Sequence, residues 1–599
     1  MSAAQGGTQA LDSARVADPA TRWSDLQNGQ TALAIVAMLA MTLGPELAGA
    51  RYWAPVLQLA VLYAASAIFM AILRFDAGQV SFGQGAVFAL AAYAVGIACG
   101  IHGMPYAVGV VWGLVAAVAT GLLFALPALR VQGYYLGFVT LSAAMVVPEM
   151  LVSLDAWTRG INGISLSLPA LAEPIAHGVS PLALLIALLG VAALLLYRAL
   201  PATAFGRRLR VSAESPEAAR ALGIDPGTMR CWAFLLTAFG TGCAGVLYPP
   251  LVGFVSPNAF HVELSILFFF AVVVGGAGQP LGPILGIGLL FLVPNAVLAQ
   301  LAEYRLLIYG GLALAVMMLL PAGVAGTLAS LLKARAARLR APIRLHDVLQ
   351  VLRDAPPLAG GGDDPVIEVH GARKRFGHVI ALDGVDLLVR RGEIHGLVGA
   401  NGSGKTSLLN LLSGFSRMDQ GRVLVLGRET TRLRAHRIAR LGVGRSFQTP
   451  RMFADLSAWD NLRIGLDARR GQPDAATRAV AEALRGAVGN RDVEQVPHGQ
   501  RRVMEVLRVV MQGSFVLLLD EPAAGLSPEE REDFASLLIA LRDRLGAAIV
   551  LVEHDLSLVW RIADRITVLE TGRVVAQGSP AEVRRMPAAA HLFLGGGGA

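Results

Sequence analysis

From Thr31 to Leu200 the chain consists almost entirely of apolar residues, interrupted by short polar or glycine-rich stretches. Apolar runs stand near 31–49, 54–73, 84–101, 106–128 and 181–200. Each is close to the roughly 20 residues that a helix needs to cross a bilayer. A weaker run at 134–154 reads as a re-entrant or broken helix. The stretch 203–230 then turns basic, with Arg207, Arg208, Arg210, Arg220 and Arg230. Four more apolar runs follow near 231–253, 264–276, 280–298 and 305–321, before Lys333, Arg335, Arg338, Arg340 and Arg344. An excess of basic residues marks the cytoplasmic side of a membrane. Both basic stretches therefore face the cytoplasm, and the four crossings between them return the chain to the side it left.

Composition separates the two halves. Between Thr31 and Leu200 there are only ten charged residues, Glu46, Arg51, Arg74, Asp76, Arg130, Glu149, Asp155, Arg159, Glu173 and Arg198. Soluble domains carry about a quarter charged residues, and the chain reaches that density only after Arg335. The first thirty residues are polar and lack the apolar core of a signal peptide, so they read as a mobile cytoplasmic tail. Residues 31–326 read as an all-α polytopic membrane domain embedded in lipid. Residues 327–363, basic and then rich in Pro and Gly, read as a linker. A soluble α/β pattern occupies 364–594, beginning with the strand-like PVIEV.

The net charge of +8 does not imply nucleic acid, because the basic residues are dispersed or lie beside membrane segments. Cys99, Cys231 and Cys243 sit in apolar stretches without metal spacing or a disulfide framework. Only Lys333, Lys374 and Lys405 are lysines, among 51 Lys and Arg. A lysine in a demanding position therefore carries unusual weight.

Two glycine-rich breaks interrupt the membrane spans, GQVSFGQG at Gly78–Gly85 and GGAGQPLGPILG at Gly275–Gly286. They are read two ways: close helix packing through small residues, or unwound backbone lining a permeation path. Arg74, Asp76, Arg130 and Glu149 lie near membrane depth. Most are close to helix ends, where snorkelling accounts for them without a substrate role.

The decisive motif is Gly399-Ala400-Asn401-Gly402-Ser403-Gly404-Lys405-Thr406, which fits G-x4-G-K-[ST]. It follows the strand-like IHGLVG and precedes the helical pattern SLLNLLSG, which begins with Ser407. That context is what a phosphate loop requires. Its glycines let backbone N–H groups converge on phosphate oxygens, and the helix N-terminus adds a favourable dipole. Lys405 reaches the β- and γ-phosphates in such a loop, and Thr406 places a hydroxyl on Mg²⁺. Downstream, Phe515–Leu519 forms a buried-strand pattern ending in Asp520 and Glu521. There Asp520 is placed to hold Mg²⁺ through water, and Glu521 to polarise the attacking water. The expected ligands are ATP and Mg²⁺.

Further segments give a family resemblance. GQVSFGQG, LRVQGYYLGFVTL at Leu129–Leu141, TRGINGI at Thr158–Ile164, and VSPNAFHVELSI followed by GGAGQPLGPILG resemble permeases of branched-chain amino-acid ABC importers over roughly 30–325. Glu217, Ala218 and Ala219, with Gly223 four residues on, match the EAA-x3-G pattern of importer permeases. The resemblance implies that this loop is a short helix docking on the ATPase. Residues 366–584 resemble the ATPase subunit of the same importers, including SFQTPRMFADLSAWDNL and LLLDEPAAGLSP. The fold is thus an all-α membrane domain followed by an α/β P-loop NTPase domain of ABC type.

On that resemblance, Gln448 in RSFQTP is the Q-loop glutamine, a γ-phosphate sensor and Mg²⁺ ligand, and His554 in LVEHD is the switch histidine. Phe376 in RFG is the aromatic that stacks on adenine, and Ala524-Gly525-Leu526-Ser527 stands where the D-loop belongs. The signature motif, usually LSGGQ, reads Val496-Pro497-His498-Gly499-Gln500. Proline replaces the serine that contacts the γ-phosphate across an ATP-bridged dimer, so this face is expected to work less well than the phosphate-loop face. The resemblance implies a second permease and a second ATPase as partners, an extracytoplasmic binding protein, and a bacterial-type inner membrane. The solute is expected to be a branched-chain or other hydrophobic amino acid; urea, amides and other small solutes travel through related systems. A half-transporter exporter would carry long cytoplasmic helix extensions, which the sequence lacks, and EAA-x3-G argues against it. A membrane-anchored regulatory ATPase would not need so many glycine-interrupted spans.

Overall fold

The computed structural model describes residues 19–131, 133–174, 178–296, 304–334, 350, 364–469, 471–473, 475–489, 491–553 and 556–587. The chain divides into two compact units. One comprises Met1–Ala213 with Gly227–Leu339, the other Glu214–Pro226 with Arg340–Ala599.

The first unit is helical. Among the described residues, eight helices are long and apolar enough to cross a membrane: Gln27–Leu47, Trp53–Asp76, Gln84–Ile101, Tyr106–Ala128, Tyr134–Ser153, Pro181–Ala202, Pro226–Val252 and Pro257–Gly275. The first helix begins at Pro19, inside the stretch read as a tail. Tyr134–Ser153 is one continuous helix despite Pro148, rather than a broken one. Continuity pairs the backbone donors beyond the first turn within the segment, as hydrocarbon demands. The run near 280–298 is split into Gly282–Ile287, a π-turn at Gly288–Leu292, and Val293–Ala296. Arg305–Leu319 and Gly323–Ala334 follow, and the second of them crosses the expected start of the linker.

Both glycine breaks are places of close packing. Phe82 N–H donates to Thr140 Oγ1 at 2.9 Å and Gly85 N–H to Ser265 Oγ at 3.1 Å, so three spans meet at the first break. A Cβ on Gly85 would stand 2.4 Å from Ser265 Oγ. At the second break, a Cβ on Gly286 would stand 1.9 Å from the Ala271 carbonyl. Small residues here let backbones touch, the first of the two readings.

Asp76 departs from the snorkelling expectation. Asp76 is 1% exposed and pairs with Arg210 Nε at 2.6 Å. Glu46 accepts from Gln58 Nε2 at 2.9 Å, Ser180 N–H at 2.7 Å and Ser180 Oγ at 2.8 Å. It thereby places negative charge at the start of the helix Pro181–Ala199, where the dipole favours it.

The second unit is built on two sheets. A six-stranded sheet runs in the spatial order Arg573–Gly578, Arg565–Glu570, Ile394–Val398, Ala548–Val552, Val516–Asp520 and Val443–Arg445. It is parallel except at the Arg573–Gly578 edge. Ile394–Val398, Val516–Asp520 and Ala548–Val552 are buried at every position, which explains their unbroken apolar spelling. A second, antiparallel sheet is formed by Val379–Arg390, Pro365–Phe376, Gln420–Val425 and Arg428–Glu429.

Candidate functional site

The phosphate loop leaves the buried strand Ile394–Val398 and enters the helix Lys405–Leu412. Gly399 (φ 154°), Gly402 (φ 80°) and Gly404 (φ 106°) adopt backbone that side chains resist. A Cβ on Gly404 would stand 2.5 Å from the Ala381 carbonyl, and one on Gly399 would stand 2.1 Å from the Leu569 carbonyl. Asn401 and Thr406 are exposed, while Ser407 is half-buried. Lys405 is buried, and its Nζ donates to the carbonyls of Gly399 and Ala400 at 2.8 Å each. Burial pushes its pKa down, opposed by the nearby Glu521 and Asp520 carboxylates. The Ser403 hydroxyl is buried, with no hydrogen-bond partner among the described residues.

A glycine cradle, a buried cation and an orphaned hydroxyl together fit a polyphosphate. Thr406, Gln448 and Asp520 carry oxygen donors of the kind a hard divalent cation such as Mg²⁺ prefers, and are the residues that would hold it.

The acids stand at the end of Val516–Asp520. Asp520 is buried, and its N–H lies 3.4 Å from Ser446 Oγ. Its carboxylate is 3.7 Å from Arg445 Nη2. Glu521 follows at φ 47°, a left-handed conformation unusual for a non-glycine residue, and its N–H donates to Val552 O at 2.8 Å. That turn aims the carboxylate at Gln448, whose Nε2 donates to Glu521 Oε2 at 2.8 Å. The structure therefore brings Gln448 and Glu521 together. Phe376 ends its strand half-exposed, with Lys374 Nζ 5.2 Å from the ring centre. His554 lies outside the described residues.

Pro497 is the N-cap of the helix His498–Met511, and no side chain caps that end. Pro497 and His498 are exposed, while Gly499 and Gln500 are half-buried. From Arg502 onward the same helix is largely buried and grips the segment 447–451. Arg502 donates to the carbonyls of Phe447 and Gln448. Glu505 accepts from Arg451 N–H at 3.3 Å, and Arg508 Nη1 donates to Arg451 O at 2.9 Å. Burial pushes the Glu505 pKa up and those of Arg502 and Arg508 down, each partly countered by its neighbours of opposite charge.

Glu214–Pro226 belongs to this same unit. Ser215 caps the short helix Pro216–Ala221, accepting from Ala218 N–H at 3.3 Å. Ala218 and Ala219 are buried. Glu217 Oε2 pairs with Arg451 Nη2 at 2.7 Å, and Arg451 Nη1 donates to Ser215 Oγ at 3.2 Å. Glu214 Oε1 accepts from Ala454 N–H at 2.7 Å. Gly223 turns at φ 76°, and its carbonyl accepts from Arg440 Nε at 2.7 Å. Arg451 thus connects the segment that carries Gln448 with the one that carries Glu217.

Comparison with known proteins follows the same division. Residues 52–321 match the family described as branched-chain amino acid transport system / permease component, and residues 382–524 match the ABC transporter family. The high-affinity branched-chain amino acid transport ATP-binding protein BraF of Pseudomonas aeruginosa is 34% identical over 250 residues, covering 39% of this chain and 98% of BraF. LivG of Salmonella typhimurium, of the same description, is 35% identical over the same shares. The chain belongs to the branched-chain amino-acid ABC transporter family. The transporter's cassette is also 38% identical over 239 residues to the sulfate/thiosulfate import ATP-binding protein CysA of Mycolicibacterium paratuberculosis, covering 39% of this chain and 65% of CysA. A solved nucleotide-free ATP-binding cassette from an ABC transporter is similar at 25% identity and a TM-score of 0.35, covering 39% of this chain and all of the other.

The transporter is therefore a membrane protein in which a permease and an ATP-hydrolysing cassette share one polypeptide. Sequence reasoning assigns no role to Arg445, Arg451, Arg502, Glu505, Arg508 or Glu553. Arg445 is buried and donates to Asn410 Oδ1 and Ser413 Oγ, each at 2.6 Å. Glu553 is buried and accepts from Ala523 N–H at 2.6 Å. The only signal for Arg445 and Arg451 was their closeness in sequence to Gln448.

Proposed function

We propose that this chain is one permease and one ATPase of an ATP-driven importer for branched-chain or other hydrophobic amino acids, in a bacterial-type inner membrane. The observation that carries this reading is the order of segments, a match to the branched-chain permease family followed in the same chain by an ABC cassette. The cassette alone does not select the solute, because it is as similar to a sulfate importer's cassette as to those named for branched-chain amino acids. The permease match supports the amino-acid reading over urea or amides.

In this mechanism the phosphate-loop amides, Lys405 and Ser403 bind the β- and γ-phosphates, and Phe376 stacks on the base. Thr406, Asp520 and Gln448 would hold Mg²⁺, which when bound neutralises charge on the transferring phosphoryl group. Glu521 orients and polarises the attacking water, and His554 contacts the γ-phosphate. Gln448 rests on Glu521 in the present geometry. Occupation of the γ-phosphate position would draw the two apart, and Arg451 would pass that shift to Glu217 and Ser215. The docking segment would thereby drive the spans. A second permease and a second ATPase complete the assembly, and an extracytoplasmic binding protein delivers the solute.

Reconstitution into liposomes with the subunits that copurify and a cognate binding protein tests this. ATP-dependent uptake of labelled leucine, isoleucine or valine is expected. Efflux, or uptake of urea in preference to these amino acids, would overturn it.

A further inference from the structure

We propose that Arg502 is a positioning residue that sets the reach of Gln448 to Glu521, so that the start of the helix His498–Met511 governs turnover at this chain's own nucleotide site. The proposal rests on the roles given above to Gln448 and Glu521. Gln448 is held at both ends: its side-chain amide donates to Glu521 Oε2 at 2.8 Å, and its carbonyl accepts from Arg502. A second arm of the same guanidinium donates to Phe447 O at 2.9 Å. Arg502 is only 4% exposed, and Glu505, Glu553, Glu521 and Asp520 surround its charge. It therefore serves two successive carbonyls from a fixed position, which a planar fork can do and a single ammonium cannot.

The helix that carries Arg502 begins at the Pro497–Gln500 turn. Arg502 lies two residues beyond Gln500, about 3 Å along the axis at a helical rise of 1.5 Å per residue. A displacement of that turn therefore reaches the Gln448 carbonyl through one side chain. Further along, Glu505 and Arg508 hold both backbone groups of Arg451. The grip thus extends from the catalytic pair to the residue that touches the docking segment. Sequence position alone gives Arg502 no such role, since it follows the motif and its burial is not visible in the spelling.

The test is steady-state ATP hydrolysis by the full chain, purified with the subunits that copurify, for Arg502→Met, Arg502→Lys, Gln448→Ala, Arg502→Met/Gln448→Ala and Glu521→Gln. Misplacement of a catalytic group by about 1 Å costs about a hundredfold in rate. Arg502→Met is expected to lower kcat on that scale while fluorescent ATP binding keeps its Kd. Arg502→Lys keeps the charge but one carbonyl contact, and is expected to fall between. The double variant is expected to be no slower than Gln448→Ala.

A fall in the double variant equal to the product of the two single falls would overturn the proposal, because Arg502 would then act independently of Gln448. Wild-type turnover in Arg502→Met beside a dead Glu521→Gln would overturn it and leave the site reading intact. Turnover surviving in Glu521→Gln would overturn both. If Arg502→Met fails to fold, Arg502→Lys carries the test, and a wild-type kcat for it overturns the proposal.

Discussion

The EAA-x3-G loop yields a ranking that its consensus letters would not suggest. Glu217 is the only charged residue among the motif's four consensus letters, yet its pair with Arg451 is open to water: the two side chains are 52% and 40% exposed. Exposed ion pairs of this kind contribute about 0.5 kcal/mol, so Glu217→Ala should weaken docking only about twofold. Gly223 is different, because its φ of 76° is left-handed and a Cβ would stand 3.0 Å from Arg440 Cγ. A β-branched side chain in that conformation costs about 1–2 kcal/mol, a factor of roughly 5–30. Ala219 is 0% exposed, so Ala219→Glu would bury a charge without a prepared partner, costing several kcal/mol.

The expected order of damage is Ala219→Glu, then Gly223→Val, then Glu217→Ala. The assay is solute taken up per ATP hydrolysed in liposomes, read beside basal hydrolysis so that loss of coupling is separated from loss of catalysis. Uptake abolished by Glu217→Ala but intact in Ala219→Glu would refute the reasoning, since charge and not buried fit would then hold the segment.

Four further outcomes are expected. Glu521→Gln should bind ATP and stop turnover, checked by retention of labelled nucleotide; continued hydrolysis would remove Glu521 from its role. Gly404→Ala should abolish nucleotide binding, measured by fluorescence titration, because its Cβ would meet the Ala381 backbone carbonyl at 2.5 Å. Pro497→Ser should raise hydrolysis by the chain assayed without partner subunits, and an unchanged rate would show that the missing hydroxyl is immaterial. Asp76→Asn leaves Arg210 without its 2.6 Å carboxylate partner, which is 1% exposed, and should cost about 3 kcal/mol of stability. Thermal unfolding in detergent checks this, and Asp76→Asn with Arg210→Met should recover part of the loss.

What was legible in the sequence depended on how rare the needed residue was. The phosphate loop could be read because its glycines are forced by backbone geometry and its lysine is one of three in the chain. Asp520 and Glu521 could be read because four buried apolar strand residues lead up to them. Helix ends were less legible: Pro19–Leu47 starts among polar residues, and Tyr134–Ser153 stays intact where its weaker hydropathy suggested a break. Asp76 was misjudged for a related reason. Its partner Arg210 is distant in sequence, and no local pattern distinguishes a snorkelling acid from a paired one.

The arginines show the same limit most sharply. A chain that uses arginine for nearly every positive charge gives no spelling difference between a surface cation and Arg445, Arg502 or Arg508, all buried. Each is defined instead by what it reaches: Asn410 and Ser413, the Phe447 and Gln448 carbonyls, and Arg451 O. In each of the three the Nε is buried without a hydrogen bond among the described residues, so the Nη contacts carry the compensation for a desolvated charge, whose burial costs several kcal/mol. Arg502 and Arg508 between them hold the backbone of residues 447, 448 and 451. That segment carries Gln448 toward Glu521 on one side and Arg451 toward Glu217 on the other. A substitution that loosens the grip should therefore degrade hydrolysis and docking together, whereas one confined to Glu217 should touch docking alone.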